Sequence, residues 1–196
     1  MMDHRMKKIG ILGGTFNPIH TGHLAIANVA LDGLNLDKVL FIPSYLPPHK
    51  TSANVVSAEH RLNMVKLAMA GHPAFEVLDF EIKQKGKSYS YKTVRHLKSI
   101  FPKGTEFYFI IGEDSFLTLN TWKRIDELLS QVQFVVINRP GSRKTKSKIK
   151  VLTLTMPGLD ISSSLIRKKI ISRQSARYFL PDCVLTYIEK NKLYLS

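Results

Sequence analysis

The chain has 196 residues, 44% of them hydrophobic, and a formal net charge of +14 from 29 basic and 15 acidic side chains. That length suits a single domain with a sizeable core; no apolar run approaches the ~20 residues that span a bilayer, so no membrane association is expected. The charged start MMDHRMKK lacks the apolar stretch of a secretory signal, and the one cysteine, Cys183, excludes an internal disulfide, so a reducing cytoplasm is the expected location.

The positive balance suggests polyanionic ligands, either nucleic acid or phosphate-rich small molecules. Much of it falls in Arg139 to Lys150 and in Arg167-Lys168-Lys169. No zinc-finger spacing or RNA-binding pattern accompanies it, so no specific nucleic-acid partner is expected.

The predicted elements begin with Ile9 to Leu12, a short apolar run that reads as a buried strand. Gly13 and Gly14 follow, allowing a sharp turn and close approach of a ligand to the backbone. After Pro18, His20-Thr21-Gly22-His23 leads into a helix whose Leu24, Ala27, Leu31 and Leu34 share one face. Val39 to Ile42 reads as a second strand, ended by Pro43 and a proline-stiffened loop to Lys50. Ser57 is an N-cap with Glu59 in the first turn, for a helix carrying Ala58, Leu62, Val65 and Met69 to a stop at Gly71 and Pro73. Phe75 to Ile82 reads as a strand with Val77 and Leu78 buried, and Gly86 to Ser90 as a loop. Val94, Leu97 and Phe101 mark a further helix.

Phe107 to Ile111 is the most apolar strand and ends at Gly112-Glu113-Asp114. A helix is expected around Trp122 to Leu129, then strands at Phe134 to Ile137 and Val151 to Leu154, separated by a polar basic connector. Ile161 to Arg167 enters a helix with serines at its cap, and Pro181 opens the last one. Alternating strands and helices predict an α/β fold built on a doubly wound parallel sheet. Ligands of such sheets bind at the carboxyl ends of the strands, where Gly13-Gly14, Pro43 to Lys50, Gly112 to Asp114, Arg139 and Ile161 to Arg167 all fall. Residues 1–196 are expected to form one domain, with a helical C-terminal part from about 160.

The chemistry concentrates where the first strand hands over to the first helix. A helix N-terminus attracts phosphate, and two histidines three apart are neighbours on one helical turn. Neither Walker A nor the dinucleotide fingerprint is present. A metal site is the rival reading of the histidines, but no third ligand lies near them in sequence. Likewise, Ile161 to Arg167 reads either as an N-cap with a surface arginine or as a phosphate cradle, and Lys50 either as a solubilising loop residue or as a reach toward phosphate. Trp122, the one tryptophan, reads as core packing or as a stacking face.

Gly13 to His23, GGTFNPIHTGH, resembles the GGTFDPxHxGH motif of the nucleotidylyltransferases; Asn17 stands where that family more often has Asp, which removes a charge. Ile161-Ser162-Ser163-Ser164-Leu165-Ile166-Arg167 is similar to the family's ISSTxIR, with Ser164 for Thr, and Pro47-Pro48-His49-Lys50 to its PPHK loop. Ser88-Tyr89-Ser90, Gly112-x-Asp114, Trp122 and the closing LPxxVxxYIxxxxLY pattern resemble the bacterial nicotinate-nucleotide adenylyltransferase branch, so that the resemblance covers Lys8 to Tyr194. It implies a Rossmann-like fold and adenylyl transfer from ATP, with Mg²⁺, to nicotinate mononucleotide, giving nicotinate adenine dinucleotide and pyrophosphate in NAD synthesis.

The same resemblance implies the site. His20, His23, Lys50 and Arg167 would be catalytic. Gly13, Gly14, Thr15, Phe16, Ile161, Ser162, Ser163 and Ser164, with the two histidines and Arg167, would hold ATP. Asn17, Lys50, Ser90, Gly112, Asp114, Trp122, Lys123 and Arg139 would hold the mononucleotide. No metal is expected to be held by protein ligands. Phosphopantetheine adenylyltransferase is the neighbouring alternative, and the sequence leaves the oligomeric state open, a homo-oligomer included.

Overall fold

The structure, a computed structural model, describes residues 7–46, 55–138 and 149–195. Six strands form one parallel sheet: β1 (Lys8–Gly14), β2 (Lys38–Pro43), β3 (Phe75–Val77), β4 (Glu106–Gly112), β5 (Gln133–Asn138) and β6 (Leu152–Thr155), in the order β3-β2-β1-β4-β5-β6. The connection reverses direction between β1 and β4, which opens a crevice at their carboxyl ends.

Period-2 alternation in the strands feeds two cores, one on each face of the sheet. Leu12, Val39, Phe41, Ile110, Val135 and Ile137 point to the face covered by α1 (Thr21–Gly33), α2 (Ala58–Met69), α7 (Ser163–Ile171) and α8 (Asp182–Lys190). Ile9, Ile11, Leu40, Phe107, Phe109, Ile111, Phe134 and Val136 point to the other face. There they meet α4 (Ser90–Ile100) and α6 (Ile125–Gln131). Two short helices, α3 (Phe80–Gln84) and α5 (Glu113–Leu117), follow β3 and β4. The doubly wound sheet expected from the sequence is thus present. At Gly10 a Cβ would lie 2.9 Å from Leu36 and 3.0 Å from Ile110, so the core is closely packed at this position.

Three local expectations need correction. The strand expected over 75–82 stops at Val77, because β3 is an edge strand paired only to Val39, Leu40 and Phe41 of β2. The chain then turns into α3, and Val77 and Leu78 are only half-buried. The helix expected around Trp122 begins at Ile125, since Arg124 takes a left-handed φ of 58° and Trp122 ends a 3₁₀ turn over Leu119–Thr121. In α2 the buried face is Arg61, Met64, Val65 and Met69, rotated from the apolar stripe to take in an arginine.

Candidate active site

The segment from β1 to α1 is held in an unusual shape by its own residues. Gly14 carries no Cβ because one would lie 3.0 Å from the Phe16 ring. Phe16 itself, 2% exposed, has a φ of +48°, a costly conformation for a bulky residue that its packing must enforce. Its ring meets His23 edge-on at 5.0 Å. His20 is the extended N-cap residue of α1, and its ring stacks on that of His23 with 3.7 Å between centroids. The backbone N–H of His20 donates to Nδ1 of His23 at 3.3 Å. An Nδ1 that accepts carries no proton, so the neutral His23 ring holds its proton on Nε2 as a donor. Gly22 lies against the His20 imidazole; a Cβ there would stand 3.1 Å from Nδ1 and 3.2 Å from Cε1.

Helix α7 is laced to this loop. Ser162 caps it by accepting from Leu165 N at 3.2 Å. Ser163 Oγ donates to the carbonyl of Pro18 at 2.8 Å, and Arg167 Nη1 donates to the carbonyl of Asn17 at 2.7 Å. Nη2 of the same guanidinium donates to Ser164 Oγ at 3.2 Å. These contacts bring two helix N-termini, α1 and α7, to one cleft of about 700 Å³. Both dipoles then favour negative charge in the same space.

Of the residues expected at the site, Thr15, Phe16, Asn17, His20 and His23 line the cleft from the β1 side. Ile161, Ser162, Ser163, Ser164 and Arg167 line it from the α7 side, and Asp114 from beyond β4. Gly13 and Gly14 close β1 behind it, with Gly14 O accepting from Ser44 N at 2.9 Å. Gly112 is the N-cap residue of α5 and turns the chain toward Asp114. Ser90, Trp122 and Lys123 gather elsewhere, where α4 approaches α6. Trp122 is half-buried and meets Phe109 at 5.7 Å and Phe134 at 6.2 Å, both edge-on. The Lys123 ammonium lies 4.7 Å over the Tyr89 ring, beside Ser90 at the start of α4. Lys50 and Arg139 lie outside the described residues.

A residue that pattern reading passed over organises the floor of the site. Arg61 on α2 is 1% exposed. Its Nε donates to Val56 O at 3.1 Å, Nη1 to Thr15 O at 2.8 Å and Ser44 O at 2.6 Å, and Nη2 to Tyr45 O at 2.8 Å. Burial pulls its pKa below the usual guanidinium range, with Tyr194 acting in the opposite direction. Four carbonyls in fork geometry nevertheless give it a full set of acceptors. The exits of β1 and β2 are thereby tied into one unit. No sequence signal marks such a residue, because its partners are backbone groups.

Glu81 on α3 is a half-buried ionisable group. It accepts from Thr93 Oγ1 at 2.6 Å. Burial pushes its carboxyl above the ordinary range, while hydrogen bonds from Thr93 and Ser88 act the other way. Ser88 also accepts from Tyr45 N at 3.0 Å, so the loop before α4 is pinned to the exit of β2.

A parallel sheet of this order, with a histidine pair and a serine-capped helix around its switch point, defines a nucleotidyl-transferring α/β protein. The chain belongs to the cytidylyltransferase-like family, whose model matches residues 11–169, and it is a nucleotidyltransferase. Its relatives narrow the branch. A Geobacillus thermodenitrificans protein named as a probable nicotinate-nucleotide adenylyltransferase is 46% identical over 189 residues, covering 96% of this chain and 87% of that protein. An Enterococcus faecalis protein of the same name is 46% identical over 188 residues, covering 96% and 85%. Among solved structures, the Plasmodium falciparum nicotinic acid mononucleotide adenylyltransferase complexed with NaAD shares the fold, with a TM-score of 0.77, 22% identity, and 96% and 97% of the two chains covered.

Proposed function

We propose that the chain transfers the adenylyl group of ATP to nicotinate mononucleotide, releasing pyrophosphate and forming nicotinate adenine dinucleotide, a step of NAD synthesis. The observation that carries this is the meeting of the His20–His23 pair with the N-terminus of α7 in one cleft at the sheet's switch point. The relatives at 46% identity supply the acceptor. We read the chain as one domain, closed by the helices from about residue 160.

The reaction is an in-line displacement. An oxygen of the mononucleotide phosphate attacks the α-phosphorus of ATP; the new P–O bond forms as the bond to the β-phosphate oxygen breaks. The attacking group is already an anion, so no protein base is needed. Catalysis rests on positioning and on charge stabilisation. His23 offers Nε2–H to the phosphates, with His20 stacked beside it. Ser162, Ser163 and Ser164 hold the outer phosphates at the helix start. Arg167 and Lys50 offset the charge growing on the leaving pyrophosphate. Asp114 meets ribose hydroxyls, and Trp122, Lys123, Ser90 and Arg139 serve the acceptor.

Among the described residues lining the cleft Asp114 is the one carboxylate beside N–H and O–H donors, so magnesium would enter on the phosphate oxygens of ATP. Among the described residues no group of three His, Cys, Asp or Glu side chains is arranged to hold a metal, whereas Mg²⁺ commonly takes phosphate oxygens, water and one carboxylate. When bound, the ion screens charge on the phosphates. No helix among the described residues is long and apolar enough to cross a membrane.

Pyrophosphate release from ATP, measured as kcat/KM with each acceptor, tests the reading. Nicotinate mononucleotide is expected to exceed nicotinamide mononucleotide by roughly 100-fold, because an amide leaves donors meant for a carboxylate unpaired at about 1–3 kcal/mol each. Equal rates with acid and amide defeat the acceptor assignment, and a preference for phosphopantetheine defeats the branch.

A further inference from the structure

We propose that Tyr194 is a positioning residue for adenylyl transfer, its hydroxyl fixing the side chain of Asn17 and, through it, the loop that carries His20 and seats Arg167. This rests on the reading of Arg167 given above. Tyr194 Oη donates to Asn17 Oδ1 at 2.9 Å across 177 residues of sequence, with both residues under one-tenth exposed. The same Oδ1 accepts from Val56 N at 3.2 Å. The carbonyl of Asn17 accepts from Arg167 Nη1 at 2.7 Å. Asn17 is therefore a junction. Its side chain receives the C-terminal tail and the strand of chain entering α2, and its backbone receives the guanidinium.

The chemistry of the tyrosine suits a fixed donor. Burial raises the Tyr194 phenol above its ordinary range, although Arg167 and Arg61 lie close enough to pull it down. It stays a neutral hydroxyl with a proton to give. Two donors on one oxygen also decide which way the Asn17 carboxamide is turned, since an amide nitrogen in that place would oppose both N–H and O–H. Losing the hydroxyl leaves a buried acceptor with one donor fewer, at the point on which Arg167 rests.

A second tyrosine provides the control. Tyr187 on α8 also ties the C-terminal part to α2, its hydroxyl lying 3.0 Å from His60 Nδ1 and 3.2 Å from Asn63 Nδ2. Neither partner belongs to the loop at the cleft. Tyr194→Phe, Tyr187→Phe, Arg167→Lys and the double variant Tyr194→Phe with Arg167→Lys are compared by thermal melting and by kcat and KM for ATP. Both tyrosine variants are expected to fold, because the ring remains. Tyr194→Phe is expected to lower kcat about tenfold, the scale of one buried hydrogen bond, with KM for ATP changed less. Tyr187→Phe is expected to lose stability without losing kcat. The double variant is expected to lose less than the product of the two single losses, because both act through Asn17. Wild-type kcat in Tyr194→Phe, equal kcat losses in the two tyrosine variants, or losses that simply multiply would overturn the proposal. An Arg167→Lys enzyme at the wild-type rate instead defeats the role given to Arg167, and Tyr194 is then judged on its contrast with Tyr187 alone.

Discussion

Gly22→Ala isolates the geometry of the histidine pair from the stability of the fold. Gly22 is the second residue of α1, with helical neighbours on both sides, so alanine gains roughly 0.5–1 kcal/mol of helix preference there. The new methyl would stand 3.1 Å from His20 Nδ1 and 3.2 Å from Cε1. That is a few tenths of an ångström inside ordinary contact, so the ring must tilt away. It has little freedom to do so, because it is stacked on His23 at 3.7 Å and His23 abuts Phe16 at 5.0 Å. A small shift is therefore passed along the pair. With misplacements near 1 Å costing about 100-fold in positioned chemistry, a shift of roughly half that size is expected to lower kcat by about tenfold. The crowding and the helix preference nearly offset each other, so Tm should stay within about 4 °C of the parent. The assay is pyrophosphate release at saturating ATP and acceptor beside a melting curve. Wild-type kcat in the alanine variant would refute the claim that the glycine exists to make room for the imidazole.

Three further expectations concern single side chains. Arg61→Met should cost at least about 3 kcal/mol in urea unfolding, since it strands the carbonyls of Thr15, Ser44, Tyr45 and Val56 at about 1–3 kcal/mol for each that stays dry; a loss below 1 kcal/mol would show that water replaces the guanidinium freely. Arg167→Lys should reduce kcat/KM, because a point charge cannot bond Asn17 O and Ser164 Oγ while still facing the phosphates; full activity would reduce the residue to surface charge. Glu81→Gln should stabilise the protein near pH 7. The folded carboxyl titrates above its ordinary value of 4.5, so the unfolded chain loses that proton first and wild-type stability falls as pH rises between the two values. The gain should shrink below pH 4.5, and an equal gain at pH 4 and pH 7 would exclude this linkage.

The centre of the sheet was legible because β1, β2 and β4 are apolar runs closed by glycine or proline, and such runs in a parallel sheet have both faces to bury. The β1–α1 segment and the start of α7 were legible as motifs, and the structure joins them at one cleft. What brings them together was not. Arg61 interrupts the apolar face of α2, and a helical pattern assigns a charge to solvent; only the carbonyls converging from two strand exits make its burial favourable. The end of β3 was missed for a similar reason. Val77 to Ile82 has strand-like composition, but of the six residues of β2 only Val39, Leu40 and Phe41 pair with β3, and the chain enters α3 at Phe80. Trp122 stood open between core and ligand, and its two edge-on contacts with Phe109 and Phe134 account for part of the indole.

The lacing of α7 to the first loop also orders events in time. Ser163 meets Pro18 across 145 residues and Arg167 meets Asn17 across 150. Contacts so distant along the chain close late, after the shorter loops between neighbouring strands. The central strands can pair while the phosphate cradle is still in two pieces. During refolding, nucleotide affinity is expected to lag behind the packing of Trp122 on Phe109 and Phe134, which stand close to it in the chain. Nucleotide affinity is thus expected to follow the pairing of the central strands.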